Sequence, residues 1–96
     1  MSTVGLFFND KAERFARQAR DRVTFNIKAD GLNYVFEGRE YKTMEELQAA
    51  QERWFTEQAM KGQSPPPKDL SRFNEILSNY NAEAAREGDK LRKKYY

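Results

Sequence analysis

The sequence predicts an α+β domain: a small antiparallel three-stranded sheet packed with helices in the order α-β-β-β-α-α, ending in a long C-terminal helix. Three observations predict it. Residues 23–28 alternate apolar and polar side chains at the period of a strand with one face buried. Thr43-Met44-Glu45-Glu46 has the spacing of a helix capping box. After three consecutive prolines, Leu70, Leu77, Ala84 and Leu91 recur every seventh residue, as on one face of a helix.

The chain has 96 residues, enough for one domain with one core. At this size about 60–65% of the unfolded surface is buried. Seven Phe, five Tyr and one Trp make large rings the main source of buried area. Residues 1–62 read as a helix, β-meander and helix, 63–67 as a proline-rich elbow, and 68–96 as the last helix, which completes the core and then projects.

The first helix starts from a cap at Asn9 or Asp10, with Phe8 stapled onto its first turn, and runs to about Asp21. Ala12, Phe15, Ala16 and Ala19 form its narrow apolar face. Lys11, Arg14, Arg17 and Arg20 are candidate phosphate contacts. The plainer reading makes them a solvated face, since Asp10, Glu13 and Asp21 are interleaved with them.

In the first strand, Val23, Phe25 and Ile27 point one way and Thr24, Asn26 and Lys28 the other. Residues 29–33, with an Asp-Gly pair, form the turn into a second strand over Tyr34 to Glu37. A tight turn at Glu37-Gly38-Arg39 then leads to a third strand, Glu40 to Lys42.

The capping box starts the next helix, whose inward stripe is Met44, Leu47, Gln51, Trp54, Phe55 and Gln58, and Gly62 ends it. Pro65, Pro66 and Pro67 favour a stiff polyproline spacer. The last helix spans roughly 26 residues, about 40 Å at the standard rise. Leu70, Phe73, Ile76 and Leu77 close the core, which is expected to contain Phe15, Phe25, Ile27, Phe36, Leu47, Trp54, Phe73 and Leu77. Beyond Tyr80 the stripe thins, and Gly88 weakens the helix by about 1 kcal/mol relative to Ala. That half is therefore expected to project, fray or meet a partner, so that cutting the chain after Tyr80 would leave folding intact.

Composition excludes much chemistry. Without cysteine there is no disulfide, thiolate nucleophile or Cys-ligated metal site, and without histidine the commonest general base and metal ligand are gone. Asp30 with Glu40-Tyr41-Lys42 has the D…ExK order of metal-dependent nucleases, but a turn and a short edge strand are a poor setting for that site. The reading is therefore of no enzyme, no cofactor and no metal. Seventeen basic residues against 15 acidic ones leave a net charge of +2, too small for a strong field toward nucleic acid or membrane. No apolar run reaches the length of a membrane span and residues 1–15 lack signal-peptide character, so a cytoplasmic setting is expected.

The order helix, three strands, helix is similar to that of the double-stranded RNA-binding domain. Where that family opens its second helix with a lysine cluster, this chain has Glu45 and Glu46, which repel phosphate. A protein or ribonucleoprotein partner is the more economical expectation, with Arg86, Lys90, Arg92, Lys93, Lys94, Tyr95 and Tyr96 as its contacts. In size, charge density and accreted-helix layout, the chain looks like small phage-encoded accessory proteins, including anti-CRISPR and other host-inhibitor proteins. That resemblance covers the overall plan and no motif. It implies action in the host cytoplasm by covering a surface on a host machine. Alternatives are nucleic-acid binding through the basic last helix, a structural or assembly role in a virus particle or other complex, and a homo-oligomer seamed by Leu77, Ala84 and Leu91.

Overall fold

The computed structural model describes residues 11–96. They form α1 (Lys11–Asp21), β1 (Thr24–Lys28), β2 (Gly31–Phe36), β3 (Arg39–Tyr41), α2 (Met44–Ala59) and α3 (Pro67–Tyr95). This is the α+β order expected from the sequence. The cap at Asn9 or Asp10 and the Phe8 staple lie outside the described residues.

The strands form an antiparallel meander, β1-β2-β3. Its first turn is shorter than the sequence suggested: only Ala29 and Asp30 separate Lys28 from its partner Gly31, and β2 begins at that glycine. Leu32, expected in the turn, is buried with Tyr34 and Phe36. The period-two spacing of these three puts them on one face. The second turn needs just Glu37 and Gly38, both at positive φ (50° and 77°), so pairing resumes at Phe36 and Arg39, one residue earlier than expected.

The Thr43 hydroxyl accepts from the Glu46 amide at 3.2 Å, capping α2 as the sequence indicated. The Glu46 carboxylate accepts from the same hydroxyl at 3.3 Å. Leu47, Ala50, Gln51, Trp54, Phe55 and Ala59 are the buried residues of α2. Gln58, placed in the stripe from the sequence, is exposed, because the helical step from Phe55 brings Ala59 inward. At the far end Lys61 and Gly62 both take positive φ, and the Gly62 amide donates to the Thr56 carbonyl at 3.0 Å. Pro66, at φ −56° and ψ 144°, is in polyproline geometry, and Pro67 opens α3 without leaving an amide donor unsatisfied.

Rings fill the centre. Phe55 and Phe73 stack at 4.2 Å between centroids. Trp54 packs against Phe15 at 5.7 Å and edge-on against Phe36 at 6.0 Å. Phe15 and Phe25 are partly buried against this cluster. Ile27, expected in the core, is 40% exposed. It sits opposite Leu32 but on an edge strand, next to the turn, and among the described residues no strand lies on its other side to shield it.

The second half of α3 departs most from expectation. Its 29 residues span about 43 Å at the standard rise, and the helix stays packed beyond Tyr80. Asn81, Ala84 and Gly88 are all buried. The thin stripe that suggested a projecting arm is a set of small residues that lets backbones approach. A Cβ on Gly88 would lie 3.4 Å from Phe25 and 3.6 Å from Leu32. On α1 the buried residues are likewise Ala12, Ala16 and Ala19. A polar tie joins the three helices: Asn81 Nδ2 donates to Gln51 Oε1 at 2.8 Å, and Gln51 Nε2 donates to the Ala19 carbonyl at 3.3 Å. The seam proposed for self-association is used within the fold, since Leu77 and Ala84 are wholly buried and Leu91 is half-buried.

Two outcomes follow for denaturant unfolding. Gly88→Ala gains helix propensity with only ordinary van der Waals contacts, so it should stabilise by about 0.5–1 kcal/mol; Gly88→Leu should destabilise by about 1–3 kcal/mol through overpacking. Ending the chain after Tyr80 should abolish the cooperative transition, because it removes Asn81, Ala84 and Gly88 from three packed interfaces.

Candidate interaction surface

Among the described residues, the exposed large hydrophobic side chains are Ile27, Tyr95 and Tyr96, the tyrosines at 54% and 55%. The fold gathers them at one end. Gly88 lies over Phe25, Leu32 and Tyr34 on the inner face of the sheet. Continuing from Gly88 to Tyr95 advances α3 by about 10 Å, while β1 advances about 7 Å from Phe25 to Ile27. The Tyr96 hydroxyl donates to the main-chain carbonyl of Lys28, next to Ile27.

The cations predicted as partner contacts divide. Arg86, Lys90, Lys93 and Lys94 are exposed, and Lys94 Nζ lies 5.5 Å from the Tyr95 ring centroid. Arg92 is half-buried and pairs with Asp89 at 2.8 Å. Arg86 sits about 15 Å along the helix from Tyr96, so Arg92, Lys93 and Lys94 are the α3 cations nearest the tyrosines, while Lys90 lies about 200° round the helix from Gly88. The one sequence-invisible member of the surface is Ile27. Its place on an edge strand, beside a turn, is the signal that marks it.

The four basic residues of α1 divide between solvent and α3. Lys11 and Arg14 are exposed, but Arg20 Nη2 bonds Glu87 at 2.9 Å, and Arg17 engages Tyr80 of α3 and lies 3.6 Å from Glu13. The Tyr80 hydrogen bond, ahead of the Glu13 charge, raises the Arg17 pKa. Arg17 and Arg20 face α3 because the alanine face of α1 packs closely there, and they tie the two helices together.

Residues of the D…ExK order lie on the open face of the sheet. Asp30 and Lys42 line a shallow hollow of about 360 Å³ with Lys28 and Asn33. The Glu40 carboxylate is instead held by Asn33 Nδ2 at 2.9 Å and Lys28 Nζ at 3.0 Å. Among the described residues, no group of three or more acidic side chains is placed to hold a metal ion. A second hollow, about 310 Å³, lies between β3 and α2 over Trp54, and the charges around it are mixed: Glu37, Arg39, Arg53 and Glu57. No helix among the described residues is long and apolar enough to cross a membrane.

Compared with protein-family models, with curated proteins and with solved structures, the chain gives no match.

The Glu40 cluster has a pH signature. Hydrogen bonds from Asn33, then Lys28 and Asn26, lower the Glu40 pKa, and the Glu40 partner raises that of Lys28. A depressed carboxyl pKa contributes stability above its unfolded value, about 4.3, that is lost as pH falls through the folded value. The raised Lys28 pKa contributes below about 10.4 and is lost as pH rises through its folded value. Melting curves of wild type and Glu40→Gln between pH 7 and pH 2 should therefore converge as pH falls below 4, the wild type being the more stable at pH 7.

Proposed function

We propose that this protein is a non-catalytic binding domain that docks a protein partner on the end of the molecule where Ile27, Tyr95 and Tyr96 meet. The observation that carries the reading is the exposure of these three hydrophobic side chains at one end, with Tyr96 bonded to the Lys28 carbonyl and Lys93 and Lys94 on the same last turn of α3. An apolar centre with a charged rim suits a protein interface, and tyrosine is favoured at such sites. Ile27 offers no stacking face to a base, and three or four cations give only weak, salt-sensitive attachment to a phosphate backbone. A protein is therefore favoured over a nucleic acid as the principal ligand. The overall plan, similar to that of phage-encoded host inhibitors, suggests covering a surface on a larger protein or ribonucleoprotein machine as the mode of action.

The test compares quantitative affinity capture from nuclease-treated cell extract by wild type, by Ile27→Lys/Tyr95→Ser, and by Lys11→Glu/Arg14→Glu on α1. All three should first be matched for melting temperature. The expected result is at least a tenfold loss of captured partner for the first variant and none for the second. Equal capture by all three overturns the proposal, as does wild-type capture found only when the nuclease treatment is omitted.

A further inference from the structure

We propose that β1 is a dimerisation edge: two copies of the chain pair β1 against β1, antiparallel about a two-fold axis at Asn26, into one continuous sheet. The inference goes beyond the docking reading and does not rest on it. The hairpins fix which main-chain groups are left over. A two-residue turn closes on a hydrogen-bonded pair, and bonded and non-bonded pairs then alternate along an antiparallel ladder. Lys28 and Gly31 close the first turn, so Thr24, Asn26 and Lys28 bond β2 while Phe25 and Ile27 turn their N–H and C=O groups outward. Phe36 and Arg39 close the second turn, so on β3 Glu40 alone turns outward. Of the two edges left by the strand order, β1 has the more to satisfy.

What selects a second copy is the register that the strand makes with itself. Pairing centred on Asn26 sets Phe25 opposite Ile27 of the other copy, and Ile27 opposite its Phe25, so both outward residues of each strand exchange their bonds. Moving the axis to Phe25 sets Ile27 against Val23, whose amide already donates to the Arg20 carbonyl at 3.1 Å. Moving it to Ile27 sets Phe25 against Ala29, in the turn. The side chains favour the same register. On the face bearing α3, half-buried Phe25 of one copy lies beside Ile27 of the other, which is 40% exposed in the single chain. On the open face the Asn26 amides meet on the axis and Thr24 meets Lys28. Charge is complementary beyond the ladder, where exposed Arg22 of each copy comes to the Ala29-Asp30 turn of the other. Neither Arg22 nor Asp30 forms an ion pair among the described residues.

The chain has no cysteine, so a single introduced one reports the register. Asn26 faces its own copy in a non-hydrogen-bonded pair, where Cα atoms stand about 4.5 Å apart, within the span of a disulfide. Thr24 and Lys28 face each other, and each lies about 13 Å along the strand from its own copy. The full chain carrying Asn26→Cys, Thr24→Cys or Lys28→Cys is oxidised with glutathione disulfide, and the wild type is sedimented over a wide range of concentration. The wild-type mass should rise from monomer toward dimer. Asn26→Cys should cross-link at least tenfold faster than either other variant alone, and a mixture of Thr24→Cys with Lys28→Cys should match it. Asn26→Lys, which sets like charges on the axis, should hold the mass at that of a monomer. A monomeric wild type at every concentration overturns the dimer. Equal cross-linking by the three single variants, or fastest cross-linking by Thr24→Cys or Lys28→Cys alone, overturns pairing about Asn26. The docking reading fails separately, by equal capture in the extract comparison.

Discussion

The close approach of α3 to α1 and the sheet governs the rest of the molecule. It depends on residues with little or no side chain: Ala12, Ala16 and Ala19 on one helix, and Ala84 and Gly88 on the other. At Gly88 even a single added carbon would come into van der Waals contact with Phe25, Leu32 and Tyr34. Interiors pack at crystal-like density, so apolar area is buried by proximity as much as by bulk. The approach also brings Arg20 within 2.9 Å of Glu87, and Asn81 within 2.8 Å of Gln51. The second of these bonds is buried. Separating the helices would leave those amide groups without partners, which is costly in a dry interior.

The same geometry explains where apolar surface is left over. Past Gly88 the helix continues for two turns beyond the point where α1 supports it, and β1 ends at its turn beside it. Leu91 and Arg92 are half-buried, and Tyr95 and Tyr96 are more than half exposed. Folding thus accounts for the helix to about Leu91. The tyrosines add area that this fold does not cover, and Ile27 adds more from the strand side.

Much of the fold was legible in local sequence. The Val23–Lys28 alternation, the Thr43 cap and the proline break each have a short-range physical cause and appear where expected. Boundaries shifted by one or two residues, because turn type depends on backbone angles that Asp30-Gly31 and Glu37-Gly38 permit in more than one way. The misjudged elements share a different cause. Gly88 was read through helix propensity, although its role is set by Phe25, Leu32 and Tyr34, more than fifty residues away in the chain. Ile27 was assigned to the core by period alone, which fixes the face of a strand and not whether that face is covered. Arg20 was grouped with a solvated stripe until Glu87 was brought beside it, while Arg17 stays exposed. In each case the deciding neighbour was distant in sequence.

The two sheet edges put the same distinction to work. A strand edge presents unpaired main-chain groups, and a protein must either blunt them or use them. At β3 the edge is cut to three residues, and Glu40 is engaged with Asn33 and Lys28 across the open face. At β1 the edge is longer, and an isoleucine and two tyrosines stand next to it uncovered. An unblunted edge beside exposed apolar side chains is an aggregation hazard if nothing restrains it.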